Sequence, residues 1–492
     1  MSRPDLKTTF NTVASLYDEV RPGYPDELVR DVLDLSGMDR SGKILEVGCG
    51  TGQASISFAT LGSKYVRKHR AQMLIRNGNS HKEGRQRGIY RYIVSIISIL
   101  CFTSGVMSDV PKIGFWEKQR KGANQQNKRH RPEWYRAAGE LGLDYVRILP
   151  DAWPADNRDF LIGNADNFEA INETDLALLI EALNEAESNG IKVVLAMASL
   201  PGVRWKQLNE NQDDGRLWRD ESYHEQAFNF WRQLAMRLEK HPAIVAYNPL
   251  NEPHPEKVFG FEEPDENFSQ WFQGIQNTPA DLNRFNQRMV ESIRSVDADT
   301  PIMLDGWFYA APQAFDFNRP VDDDKVLYAF HNPGPWQMVT YRVNKGRYAY
   351  PDRVPKWWNG PVESWTSDRL AEELNAVQRF AERYEIPSHR IIASEFWYDR
   401  RLEGAAAYLS DLIEIYNSRG WHWAFYAFRG GGSWTGLDYE IAPDHKMDWH
   451  YWQAVEQGKD PEQFKPRGMN PLWKILQRQF RKNSKRHDFI SP

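Results

Sequence analysis

The chain has only two cysteines, Cys49 and Cys101, among 492 residues. Two thiols cannot build a disulfide framework, and a cysteine-rich zinc domain is excluded with them. No charge of one sign dominates. The formal net charge is −5 and the pI about 6.2, so the whole molecule is not a polyanion binder. No apolar run reaches the ~18 residues of a membrane-spanning helix. No fixed-period repeat is visible. No cluster of His, Cys or acids has metal-ligand spacing, so neither cofactor nor metal is expected. Tryptophan is absent before Trp116, although the chain holds 19. That asymmetry divides the chain. What is present, 41% hydrophobic and 26% charged residues, supports a large core and rules out wholesale disorder.

Residues 1–63 carry charges of alternating sign. Asp26 to Leu35 places Leu28, Val29, Val32 and Leu33 at helical spacing. Lys43-Ile-Leu-Glu-Val-Gly48 reads as a strand entering a glycine-rich turn. Residues 64–131 hold 16 Lys or Arg against Glu83, Asp109 and Glu117, a local +13 that leaves −18 for the rest. A solvated linker is the plain reading. Nucleic-acid binding is the weaker one, since no interleaved aromatics accompany the run, and no nucleic-acid partner is expected. Within it, Tyr92 to Met107 is apolar, with Arg85, Arg87 and Arg91 ahead of it and the small Ser104 and Gly105 in its last part. This matches the apolar core of an export signal, although such a signal belongs at an N-terminus. The expectation is an export signal or membrane anchor over 92–107, lying apart from the domain that follows. A buried strand or helix of a globular domain is the alternative.

Residues 110–483 alternate apolar strands with amphipathic helices. Strands are expected to end near Ala123, Ile148, Met197, Tyr247, Leu304, Phe330, Ala393 and Phe428. Thr174 to Asn189 and Asp368 to Tyr384 read as helices between them, the first stopped by Gly190. Continuous apolar strands such as Ile191-Lys-Val-Val-Leu-Ala-Met197 suit a sheet covered on both faces. Eight strand-helix units predict a (β/α)8 TIM barrel with long loops. A doubly wound open sheet competes, but no phosphate-binding glycine turn follows the first strand. The organisation expected is a fragment over 1–63, a basic linker over 64–109, the barrel over 110–483 and a tail over 484–492.

Two motifs carry chemistry. Ile244-Val-Ala-Tyr-Asn-Pro-Leu-Asn-Glu-Pro253 runs from an apolar strand into Asn251 and Glu252. Arg390-Ile-Ile-Ala-Ser-Glu-Phe-Trp397 again ends a buried strand in an acid, Glu395. Each alone reads equally as a turn or a surface acid. Together they put two carboxylates on one rim of a barrel, as glycoside hydrolysis requires: one to protonate the leaving oxygen, one to attack or to activate water. Arg147 ends the second strand and is placed to hold a carboxylate ionised. His331 ends the sixth. After the eighth strand, Trp434 is a candidate sugar platform, and Asp438 and Glu440 are candidate partners for sugar hydroxyls. Trp307, Trp336 and Trp397 follow strand ends and are better platforms than Trp231 on a helix.

Over about Pro111 to Phe480 these motifs resemble glycoside hydrolase family 5, the cellulase family. The resemblance implies a retaining O-glycosyl hydrolase acting on a β-linked polysaccharide. It implies Glu252 as acid/base and Glu395 as nucleophile, with Asn251 beside the substrate's 2-hydroxyl. Arg147 and His331 match the family's strand-two Arg and strand-six His, and Lys121-Gly-Ala-Asn124 its first-strand signature. There are departures: Met197-Ala-Ser199 stands where a His is common, His331-Asn-Pro333 replaces His-x-Tyr, and Phe428 stands where the strand-eight Trp is expected.

Ile44-Leu-Glu-Val-Gly-Cys-Gly-Thr-Gly52, with Phe10 to Arg21 ahead of it, resembles motif one of class I S-adenosylmethionine-dependent methyltransferases over residues 8–62. Gly48, Gly50 and Gly52 suit close backbone approach to a ligand. About 55 residues cannot close a cofactor pocket, so a truncated fragment fused ahead of an exported hydrolase is expected, with the barrel outside the cytoplasm. A methyltransferase and a non-catalytic sugar-binding barrel are the rival readings.

Overall fold

The computed structural model describes the backbone of residues 43–47, 64–68, 111–125, 130–357, 360–430, 432–459, 461–468 and 470–487. It describes side chains over the same residues from 111 to 480, save 432–434. The chain divides into two units, Met1–Val110 and Pro111–Pro492. In the first unit, the expected strand Lys43–Val47 pairs in parallel with Lys64–Lys68. The second strand falls where charge density alone suggested linker, but Tyr65 and Val66 are good strand formers. The helix expected over 26–35, the glycines at 48, 50 and 52, and the apolar segment 92–107 lie outside the described residues. Among the described residues, no helix is long and apolar enough to cross a membrane.

The second unit is the eight-stranded closed barrel. Its strands are β1 (Lys121–Gln125), β2 (Tyr145–Ile148), β3 (Lys192–Ala196), β4 (Ile244–Asn248), β5 (Ile302–Asp305), β6 (Val326–Phe330), β7 (Ile391–Phe396) and β8 (His422–Phe425). Each is hydrogen-bonded to its sequence neighbours, all in parallel, and β8 closes on β1. The helix after β2 shows why the segments fold as they do. It runs Glu173–Ser188; the Asn172 side chain accepts from the Thr174 and Asp175 amides, and Leu176, Leu179 and Leu183 are buried against the barrel. The helix expected over 368–384 is two, Ser367–Glu373 and Asn375–Arg383, meeting at Leu374. A hairpin of Asp352–Pro355 with Val362–Trp365, within the long connection after β6, was not anticipated.

Side chains along a strand alternate between the interior and the helix layer. Tyr145, Val194, Ala246, Met303, Leu327, Ile392 and Ala424 make the apolar interior layer. Trp116 plugs it from below, its indole N–H donating to the Val245 carbonyl at 2.9 Å. The alternate set, such as Val146, Val193, Tyr247 and Ala393, packs under the helices. The barrel therefore rests on an apolar floor, and the next interior positions toward the strand C-termini are free to be polar. A chain beginning at Ser108 is expected to keep the barrel's far-ultraviolet circular dichroism and a cooperative thermal transition. Loss of both, with the full chain intact, would show that the first unit is needed for folding.

Candidate active site

One alternation above the apolar layer, the interior residues are Arg147 on β2, Asn248 on β4 and Asp305 on β5. Past the end of β6 the same face carries His331. All four are buried. A buried charge is costly unless it is paired and hydrogen-bonded, and here each charge has partners. Arg147 Nε and Nη2 donate to Asn248 Oδ1, at 3.0 and 2.5 Å. Nη1 donates to Asn124 Oδ1 at 3.0 Å and to Glu395 Oε1 at 2.6 Å. Nη2 also reaches Asn251 Oδ1 at 2.6 Å, and Asp305 Oδ2 lies 3.7 Å away as an ion pair.

Glu395 is on the interior because β7 is irregular. Ala393 and Phe396 both face the helix layer, and the β7–β8 register shifts between them. One extra residue is accommodated there, so Ser394 and Glu395 both turn away from the helices. A bulge that re-aims a side chain beside a functional site is a recurring device. Glu252 arrives by a different departure. Its φ is +50°, in the left-handed region, at roughly 1–2 kcal/mol for a residue with a Cβ. The turn is held from both sides. The Asn251 amide donates to the Met197 carbonyl at 2.8 Å, and the Glu252 amide to Asp305 Oδ2 at 3.0 Å. His331 Nδ1 is 2.7 Å from Glu252 Oε1.

One donor atom each of Glu252, His331 and Glu395 falls within 4.8 Å of the others. A cation would fit that spacing, but His331 and Arg147 already supply positive charge. Burial alone would lower the His331 pKa; Glu395, Asp305 and Glu252 around it more than offset this and raise it to about 10. With Arg147 against Glu395 and His331 between the two acids, the trio reads as an acid pair with its counter-charges. Burial pushes the Glu395 carboxyl above the ordinary glutamate value, and Glu252 and Asp305 add to this; His331 and Arg147 oppose it without prevailing. Arg147 was expected to hold this carboxylate ionised; it does pull the pKa down, but desolvation at the base of the cleft outweighs the guanidinium. Burial works on Asp305 in the same direction, but there His331, Arg147 and the Glu252 amide win and its pKa is lowered.

The cleft above the two acids is walled by Trp205, Trp336, Trp397 and Tyr426, with Arg342 at its edge. Trp336 is 40% exposed and meets Trp397 edge-on at 6.0 Å, while the Arg342 guanidinium lies 5.3 Å over the Trp336 ring. Trp336 and Trp397 are thus where a platform is useful. Trp307 is not: it is fully buried against Phe268 and Phe272. Tyr426, not Phe428, is the aromatic that β8 presents to the cleft; Phe428 is buried between Trp134 and Trp473. Asp438 does not join the site. It is fully buried and paired with Arg467 at 2.7 Å, so its carboxylate is already committed. Glu440 is tied to Arg429 and Arg467. The Trp434 side chain lies outside the described residues. Sequence reasoning missed Asn248, Asp305, Trp205 and Tyr426. Inward parity from Ala246, Met303 and Ala424 would have found three of these; Trp205 sits in a loop with no periodic signal.

The family profile described as cellulase (glycosyl hydrolase family 5) matches residues 122–430, which is more than half of the chain. The chain belongs to this family. The family match spans every side chain that meets in the Arg147 network, and ends before Trp434 and Asp438. Endoglucanase C of Acetivibrio thermocellus is 25% identical over 197 residues, covering 40% of this chain and 48% of that protein. Endoglucanase C307 of Clostridium sp. (strain F1) gives the same values. The chain thus spans about half the length of the curated relatives it matches. Among solved structures, the endoglucanase Cel5A from Thermotoga maritima is 18% identical with a TM-score of 0.47, covering 65% of this chain and 93% of that one.

Removing the guanidinium of this family member would strand buried carboxylate and amide oxygens. Arg147→Met is expected to cost roughly 3–5 kcal/mol, as for other buried pairs broken on one side. Urea unfolding of the two proteins measures this directly; a loss below ~1 kcal/mol would show that the network does not bear on stability.

Proposed function

We propose that the barrel hydrolyses the glycosidic bonds of a β-linked polysaccharide, in the manner of an endoglucanase, with retention of anomeric configuration. The observation that carries this is the close approach of the two acids: an oxygen of Glu252 and one of Glu395 lie within 4.8 Å on one rim of the barrel. A nucleophile that itself reaches the anomeric carbon needs carboxyls ~5–5.5 Å apart, whereas an intervening water needs ~6.5–9.5 Å. Glu252 donates a proton to the departing sugar oxygen as the bond from that oxygen to the anomeric carbon breaks. Glu395 attacks that carbon from the other face. Water, deprotonated by Glu252, then releases the glycosyl-enzyme and returns both carboxyls to their starting states. Arg147 against Glu395 holds the nucleophile's carboxylate in place, and Trp336 and Trp397 supply faces for sugar rings. Asn251, whose Oδ1 is taken by Arg147, keeps its amide N–H2 for a substrate hydroxyl.

A polymeric substrate favours an enzyme outside the cytoplasm, and the basic-flanked apolar segment 92–107 supports that placement. Fractionation of cells expressing the full chain tests it. Among the described residues, no comparable set of side chains stands behind the methyltransferase reading, and a barrel that only bound sugar would not need two acids this close.

Glu395→Ala is expected to lose turnover by several orders of magnitude and to recover activity in azide, giving a glycosyl azide of inverted configuration. Product with inverted configuration from the unmodified protein, seen by NMR, would defeat the retaining assignment. Glu395 must be ionised to attack, and its pKa is raised above the ordinary 4.5. Activity should therefore fall as pH drops through a value above 4.5. An acidic limb of kcat/KM at or below that value would assign it to another group.

A further inference from the structure

Asp305 has no place in the chemistry above, yet three parts of the site converge on it. Oδ2 accepts the Glu252 amide at 3.0 Å. The same oxygen lies 3.4 Å from His331 Nε2, as an ion pair, and 3.7 Å from Arg147 Nη2. On the other side of the ring, His331 Nδ1 meets Glu252 Oε1 at 2.7 Å. A carboxylate, an imidazole and the proposed acid/base therefore stand in a row.

The backbone after Asp305 is committed to the same arrangement. Phe308, Tyr309 and Ala310 follow one another at φ +53°, +58° and +60°. None is glycine, and three successive left-handed residues are costly enough to persist only where surrounding contacts over-determine them. Those contacts lead to the acid/base and its histidine. The Tyr309 amide donates to the Pro253 carbonyl at 3.3 Å, and the His331 amide to the Ala310 carbonyl at 2.8 Å. The Tyr309 ring stacks at 4.1 Å on His254, whose Nδ1 is 2.7 Å from the Glu252 carbonyl oxygen.

Resting on the retaining-hydrolase reading, we infer that Asp305 is a positioning residue for the acid/base. Its carboxylate anchors the left-handed turn that aims Glu252. It also keeps His331 as an imidazolium whose Nδ1–H occupies Glu252 Oε1, which confines the transferable proton to Oε2. With a neutral ring, Nδ1 would be free to accept from Glu252, and the proton would sit on Oε1 facing the histidine instead of the glycosidic oxygen. The charged groups facing His331 are Glu252 from the loop after β4, Asp305 from β5 and Glu395 from β7, with Arg147 on β2 pairing with the last two. The neutral Tyr426 phenol closes the cleft beside both glutamates. With Glu252 carrying its proton, the Asp305 and Glu395 carboxylates beside Nε2 still favour the protonated ring, and the raised His331 pKa agrees.

Asp305→Asn tests the charge while leaving an oxygen for the Glu252 amide. The readout is kcat/KM, which reports the bond-breaking half of the reaction, on aryl β-glycosides with poor and with good leaving groups. The expected loss on phenyl glycosides is at least ten times the loss on 2,4-dinitrophenyl glycosides, which need no proton. The basic limb for the phenyl series should also move to lower pH, because the imidazolium has lost a stabilising anion. An equal loss on both series with an unmoved limb, or no loss, would overturn the inference. A second measurement needs no variant. The His331 ring nitrogens in the unmodified protein should report an imidazolium by NMR at pH 8; a neutral ring there would overturn it even if Asp305→Asn does not fold. Failure of the hydrolase reading is seen separately, as absence of Glu395-dependent aryl release from the unmodified protein.

Discussion

A guanidinium with no solvent exposure must place five N–H groups inside the protein. Arg147 places all five, on Asn124, Asn248, Asn251 and Glu395. These residues come from β1, β4, the loop after β4, and β7. The arrangement is demanding in both directions. The arginine is tolerable in the interior only because these oxygens surround it, and the oxygens are tolerable because the arginine is there. Its planar fork fixes where each partner must sit. β1, β4 and β7, which are not hydrogen-bonded neighbours in the barrel, are thereby locked to one another at the height of the cleft. Asn251 is held next to Glu252, so the register of the acid/base loop follows from the same bonds.

Much of this could be read from the sequence, and the reason is periodicity. Every strand but the first, Lys121–Gln125, was marked by a short apolar run, and the charged residues stood out at the ends of such runs. Glu252, Glu395, Arg147 and His331 were all found that way, and the structure brings them together. The residues that went unread fail on the same ground. Asn248 and Asp305 are polar residues on the inner face of otherwise apolar strands, and only a reading that followed parity up each strand would have separated them from turn residues. Trp307 follows a strand end as Trp336 does, but the left-handed turn beyond it folds the chain inward, and local sequence does not announce a turn with no glycine in it. Asp438 and Glu440 lie in a long loop whose acids find Arg429 and Arg467 from distant positions. Loop charges carry no signal of whether they face a ligand or each other.

The electrostatics of the cleft turn on an imbalance between two similar acids. Glu395 is the more enclosed, with its side chain 7% exposed against 16% for Glu252. It has the guanidinium on one side and His331 at 3.9 Å on the other. Glu252 has one oxygen on His331 and lines the cleft. In the free protein, two anions this close would repel strongly, and the like charge favours leaving a proton on one of them. The more open acid, held by a single side-chain hydrogen bond, is the one a glycosidic oxygen in the cleft can reach. The enclosed one has Arg147 and His331 beside it, which pull its pKa down against the burial that raises it.

Regular strands alone could not have produced this meeting. A barrel strand aims alternate side chains at the axis, so two carboxylates on β4 and β7 would project from fixed heights along fixed directions. Both acids are instead carried by a local break in regularity: an extra residue in β7 for Glu395, and a left-handed turn past β4 for Glu252. Each break is costly by itself, and each is stabilised by a regular neighbour. Arg147 on β2 holds the oxygen of Glu395, and Asp305 at the end of β5 holds the amide of Glu252. The rigid layer beneath, from Trp116 up to Met303 and Ile392, gives these neighbours little room to move. The positions of the two acids therefore depend less on their own flexible side chains than on where the barrel floor sets Arg147 and Asp305. A substitution in that apolar layer that shifted β2 or β5 would be felt at the acids, although it touched neither.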